Sequence, residues 1–279
     1  MPVFPLCRQD LVRKPRFAAR SWRTLSARVA LCGSVLLAAA SSRAEEISAL
    51  YNASWAGLPA GQIKLTLRDS DKGYRNEIAI RTEGLAALFT RFRGSAASEG
   101  ALPPGRLPQP EHYSAFYDLR KSKNRRVSMR FVLRGAARVA ERGPDDTSTK
   151  PPLAENFRQN VIDPLSVIAA VRHALRAGQG AFTLPVYDGS RRFDAIVRAL
   201  PEAQPGDAER RVEMTLQPIA GFKGETSDDG DPDTAPRPVE LAFSGDGRLT
   251  PLRMRVPVSY LPLVVEFARS CAAAPPCAW

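Results

Sequence analysis

The chain has only two histidines in 279 residues, His112 and His173, and four cysteines. The histidines lie far apart with no metal-ligand spacing, so no zinc motif is present. There is no Gly-x-Ser-x-Gly elbow, no P-loop and no dinucleotide fingerprint. The signatures of serine hydrolases and nucleotide-dependent enzymes are therefore missing, and no cofactor is expected. Long apolar runs are missing too. The longest, Val29 to Ala40, holds twelve residues, too few to cross a hydrocarbon core of roughly 30 Å as a helix. Acidic residues are short in number, 29 against 40 basic ones, for a net charge of +11.

That excess sits at the front. Residues 1–44 carry eight basic side chains and a single acid, Asp10, which leaves a charge of about +4 on the remainder. The front segment has the three parts of a secretory signal: a basic stretch, the apolar core Val29–Ala40, and Ser42-Arg43-Ala44 with small residues where a signal peptidase reads. Cleavage is expected after Ala44, which makes Glu45 the mature N-terminus and the protein periplasmic, without a transmembrane helix. Export removes Cys7 and Cys32 and leaves Cys271 and Cys277, six positions apart at the C-terminus. In an oxidising compartment the two are expected to form a local disulfide in a tail, residues 271–279. Residues 45–270 are expected to form a single domain.

Most of that domain alternates with period two. Tyr51, Ala53 and Trp55 alternate before Gly57, and Ile63, Leu65 and Leu67 after it. Similar strands run over Tyr74–Thr82, Tyr113–Leu119, Val127–Leu133, Arg211–Leu216, Val239–Phe243 and Leu249–Val256. Gly94–Gly100 alternates weakly. Val258–Phe267 is apolar throughout and interrupted by prolines, which suits a buried or edge segment.

Val161–Asp194 carries the clearest signals. Asp163 caps a helix, Pro164 suits its first turn, and Gly178 suits the residue past its end. Leu165, Ile168, Val171 and Leu175 form one apolar stripe, so the helix runs from about Pro164 to Ala177. A hairpin then turns on Asp188-Gly189. Ten to twelve strands with one such helix predict a mainly β fold: a curved antiparallel sheet or open half-barrel covered by the helix.

Four further features have a bland and a chemical reading. Asp229, Asp231 and Asp233 resemble the front of a calcium loop, but Thr234 replaces the required glycine and no helices flank it, so an acidic loop is expected. The basic run Lys121–Arg126 reads as a solvated hairpin, and no nucleic acid is expected as a partner. Asp163 and Asp188 read as a cap and a turn residue. His173 lies off the helix stripe and reads as solvated.

Four motifs, in order, resemble the pattern of an exported bacterial family called domain of unknown function 3108. They are Tyr51 to Gly61 with Trp55 and Gly57, Asp163-Pro164-Leu165-Ser166, Tyr187-Asp188-Gly189, and Asp246-Gly247 with Pro251. The resemblance covers nearly all of the mature chain and implies a periplasmic antiparallel β-protein, similar in shape to the half-barrels that carry lipoproteins. It brings no catalytic residues. The expectation is a non-enzymatic protein binding a lipid or other amphiphile, or an envelope protein, in a concavity lined by Trp55, Ile63, Phe131, Phe193 and Met254. The other reading is an enzyme acting on an envelope polymer through Asp163, Asp188 or Glu99, which requires two carboxylates to converge on one cleft.

Overall fold

A computed structural model describes residues 45–279 apart from 71–72, 85–91, 104, 120–121, 202–207, 223–233, 259–260, 272–276 and 278. The signal segment and the three aspartates of the acidic loop lie outside the described residues. The first seven strands are β1 (Glu45–Trp55), β2 (Leu58–Ser70), β3 (Gly73–Thr82), β4 (Phe92–Ala101), β5 (Gln109–Leu119), β6 (Ser122–Arg134) and β7 (Ala137–Arg142). A 3-10 turn (Glu155–Phe157) and the helix α1 (Ser166–Arg176) follow. The chain ends with β8 (Ala181–Tyr187), β9 (Arg192–Ala199), β10 (Glu209–Ala220), β11 (Arg237–Ser244), β12 (Pro251–Val258) and β13 (Leu261–Ser270).

All thirteen strands join one sheet. It runs from β7 to β1, then from β13 to β8, and each ladder is antiparallel. Each strand therefore pairs with its sequence neighbour, and the β1–β13 junction joins the first and last strands of the described residues. The β1–β2 turn puts Ala56 at φ 52° and Gly57 at φ 80°, the double positive φ of a type I′ hairpin. Pro257 and Pro262 stand opposite each other near the end of the β12–β13 ladder. They lie beyond the last pairs with β11 and β1, Glu240 with Arg255 and Trp55 with Leu263, so neither of those two ladders loses a donor to them. β13 is thus an interior strand, not an edge.

The sheet nearly closes into a barrel. Its two edges, β7 and β8, are bridged by the segment that leads into the helix. Ala140 N donates to Arg158 O at 2.9 Å and Asn160 N to Arg138 O at 2.7 Å on one side. Ile162 N donates to Pro185 O at 2.8 Å, and Tyr187 N to Ile162 O at 2.9 Å, on the other. Asn160 sits at φ 51°, where asparagine is tolerated. Edge donors and acceptors that would face solvent are thereby paired.

Closure changes the helix's surroundings. Its buried set is Ser166, Ala169, Ala170, Val171, Arg172 and Ala174, which goes well round the helix and beyond the predicted stripe. Leu165 and Ile168 pack on the cluster built by β1, β2, β5 and β6, whereas Ala170, Val171 and Leu175 pack on the cluster built by β8 to β11. The helix fills the barrel's interior from within, and its alanines let strands approach closely. His173, expected to be solvated, is half-buried, and its Nε2 is out of solvent with no hydrogen-bond partner. Strand β7 was not expected either.

Candidate functional site

The helix does not fill the whole interior. A cavity of about 350 Å³ remains beside its first half, against Pro164, Leu165, Val167, Ile168 and Val171. Ile63, Leu65, Ile78, Ile80, Tyr113 and Tyr117 form one wall, with Met214, Leu241, Phe243, Met254 and Val265 opposite. Its size falls at the lower end of small-molecule sites. On this side β4 places the small residues Gly94 and Ala96 at successive inward positions, in phase with Ser98, between strands that carry Ile78, Ile80 and Tyr113, and the Phe92 ring lies over Gly94 on the cavity wall. Polar atoms on the wall are few. Burial pushes the Tyr51 and Tyr113 phenols above their ordinary range, and Tyr51 Oη donates to Pro251 O at 2.9 Å.

The helix beside the cavity is fastened at both ends. Asp163 has no solvent exposure, and its Oδ1 accepts from Leu165 N and Ser166 N, both at 2.9 Å. These are the donors that an N-cap satisfies, although the regular helix starts only at Ser166. Its Oδ2 accepts from Ser98 Oγ at 2.8 Å and from Ser166 Oγ. Tyr74 Oη joins the knot through Ser166 Oγ, and Asn76 Nδ2 donates to Leu165 O at 3.2 Å. Burial holds the Asp163 carboxyl above the usual carboxylate range, against the pull of these hydrogen bonds. At the other end Gly178 takes φ 69° and donates to Leu175 O at 3.1 Å, as the stop signal predicts.

Arg172, only 1% exposed, holds the C-terminal half. It meets Asp69 at 2.6 Å and Glu45 at 3.2 Å, and donates to the carbonyls of Arg248 (2.8 Å) and Leu249 (3.3 Å). Arg176 reaches the same two carboxylates at 2.9 Å and 2.6 Å. An arginine inside an alanine-rich helix gives no sign in sequence that it will be buried. Only the closure of β1 and β2 around it supplies the carboxylates.

The residues expected to line a concavity separate. Ile63 and Met254 line the cavity. Trp55 keeps the inward phase but lies at the end of β1, 48% exposed, and is not among the lining residues. Phe131 is buried in the first core cluster. Phe193 lines a second pocket of about 210 Å³, with Leu216, Pro218 and Phe222 among its walls. The carboxylates of the enzymatic reading do not converge. Asp163 is bonded as described. Asp188 Oδ1 accepts from Ser190 N and Arg191 N at 2.8 and 2.7 Å within its own turn. Glu99 pairs with Arg75 at 3.3 Å, its side chain 45% exposed. Cys271 and Cys277 have Cα atoms 5.3 Å apart, a separation that a disulfide spans. Among the described residues no group of three or more potential metal-ligating side chains occurs, and no helix is long and apolar enough to cross a membrane.

Among solved structures, a similar chain is the β-barrel-like protein of domain of unknown function DUF1849 from Brucella abortus. It is 12% identical, with a TM-score of 0.52, over 81% of this chain and 96% of that one. At that identity the likeness shows the fold alone. No curated protein matches the chain. The model of the family described as Protein of unknown function (DUF3108) matches residues 50–266, and the chain belongs to that family.

Proposed function

We propose that this member of the DUF3108 family is a periplasmic, non-enzymatic protein that holds an apolar or amphiphilic molecule inside its barrel. One observation carries the reading: a space of about 350 Å³ with almost wholly apolar walls persists beside a helix pinned at both ends. A protein interior is normally packed to the density of an organic crystal. A space of this size lined by isoleucines, leucines and methionines favours a ligand that brings its own apolar surface. The separation of Asp163, Asp188 and Glu99 weighs against polymer hydrolysis by paired carboxylates. Export rests on the signal features of residues 1–44.

Native mass spectrometry of the protein purified from the periplasm tests the proposal. The expected result is a bound lipid-like mass. Ala96→Trp, which projects an indole into the cavity, should abolish that mass while preserving a cooperative melt. A clean apo mass for the parent protein would shift the reading to recognition of an envelope partner. An unchanged ligand mass in Ala96→Trp would place the ligand elsewhere.

A further inference from the structure

Two of the apolar rows that line the cavity continue past it and lose their cover. On β1 the inward positions Tyr51, Ala53 and Trp55 pass from buried through half-buried to exposed. On β13 Val265, Leu263 and Leu261 do the same. Tyr51 and Val265 belong to the cavity wall, so both rows start inside the barrel and end outside it. Trp55 pairs with Leu263 on one side and with Leu58 across the β1–β2 turn on the other, and Leu58 is exposed as well. Ala56 N donates to Pro262 O at 3.2 Å, which holds the ends of the β1–β2 and β12–β13 hairpins side by side. The helix lies toward the other end of the β1–β2 hairpin, where Arg172 meets Glu45 and Asp69. The cavity thus has a floor at the helix and a mouth beside Trp55.

Charge is absent where the cover is lost. Residues 53–62 and 256–265 hold no Asp, Glu, Lys or Arg, in a chain that is 25% charged. Both hairpin ends can therefore leave water without desolvating an ion. Their three exposed side chains present on the order of a few hundred Å², well short of the roughly 800 Å² that each partner gives to a stable protein complex. A bilayer demands no matching surface. Its interfacial layer favours tryptophan, and the hydrocarbon below it favours leucine. Resting on the cavity reading above, we propose that these two hairpin ends dock on a phospholipid bilayer. Trp55, Leu58 and Leu261 enter its surface, and the mouth of the cavity faces the lipid from which the bound molecule comes.

Flotation with vesicles of phosphatidylethanolamine and phosphatidylglycerol tests docking separately from the ligand. The protein recovered after expression of the full chain should float with the vesicles, and added salt should not release it, because apolar burial holds it there. Leu58→Asp/Leu261→Asp should weaken binding about tenfold or more. Leu133, at the far end of β6, is 70% exposed, and Leu133→Asp should leave binding within about twofold of the parent. Trp279→Phe leaves Trp55 as the one tryptophan after residue 44. Its emission should shift to the blue on vesicles and be quenched by phospholipids brominated on their chains, a reading that stands even if the double variant does not fold. No flotation, release by salt, an equal loss in Leu133→Asp or an unquenched Trp55 overturns the docking surface. Self-association that Leu58→Asp abolishes, without flotation, also overturns it and assigns the surface to a second copy. Ala96→Trp should float like the parent. Flotation of a parent with a clean apo mass keeps the docking surface and overturns the cavity reading, whereas a bound mass without flotation does the reverse.

Discussion

Replacing Asp163 by alanine removes four accepted hydrogen bonds at once, from Leu165 N, Ser166 N, Ser98 Oγ and Ser166 Oγ. Loss of the cap costs about 1 kcal/mol. Each donor then left in a site without water adds about 1–3 kcal/mol. The hydroxyls of Ser98 and Ser166 lie 2.9 Å apart, and Tyr74 also bonds Ser166, so part of the knot survives and the expected loss is about 3 kcal/mol. Asp163→Asn keeps a carbonyl oxygen for the two backbone donors and presents an amide to the serine oxygens, so its cost stays below about 1 kcal/mol. The pair of variants also isolates the charge. Because burial raises the Asp163 carboxyl, the folded protein keeps this proton to a higher pH than the unfolded chain does. The resulting stability is complete below about pH 3.9 and is lost as pH climbs through the folded value. The parent should therefore lose ground to Asp163→Asn as pH rises above about 3.9. Urea unfolding followed by tryptophan fluorescence measures both effects. An alanine variant within about 1 kcal/mol of the parent, or a parent that gains on the asparagine variant as pH rises, would refute the argument.

Arg172→Met should cost about 3 kcal/mol in the same assay, since Asp69 and two carbonyls lose a buried partner. Arg176→Met, with its side chain 30% exposed, should cost about 1 kcal/mol or less. N-terminal sequencing of the protein recovered after expression of the full chain should begin at Glu45; a start elsewhere would displace the proposed cleavage site. Cys271 and Cys277 should be joined in protein from the periplasm, seen as a gain of two hydrogens in mass on reduction. Because the loop is short and terminal, reduction should lower stability by less than about 2 kcal/mol. A larger drop would mean that the tail is part of the core.

Much of the fold was legible because its signals are local. Side-chain alternation comes from the pleat itself, and it placed most strands correctly. Asp163 and Gly178 act on donors and acceptors within a few residues, so they marked both ends of the helix before any tertiary contact was known. The turn at Asp188-Gly189 is local in the same sense. Strand β7 was missed because Ala137-Arg138-Val139-Ala140-Glu141-Arg142 offers few bulky apolar residues. The signal that marks it is Gly135, at φ 60°, between two alternating runs.

The candidate site was much less legible. Inward phase was correctly read for Ile63 and Met254, but phase does not say how far along the barrel a side chain sits. Phe131 is inward and buried in core, and Trp55 reaches the rim. The sequence by itself determined the β class, the helix and the local turns, each set by contacts between near neighbours, and left the strand order to the tertiary structure. Tertiary structure alone decided that the sheet nearly closes. Closure depends on β1 meeting β13 and on the segment from Arg158 to Ile162 pairing both free edges. It also enclosed the helix, buried Arg172 among carboxylates from β1 and β2, and left the space beside Gly94 and Ala96. Those outcomes depend on which distant residues face one another across a nearly closed barrel, and no local pattern encodes that.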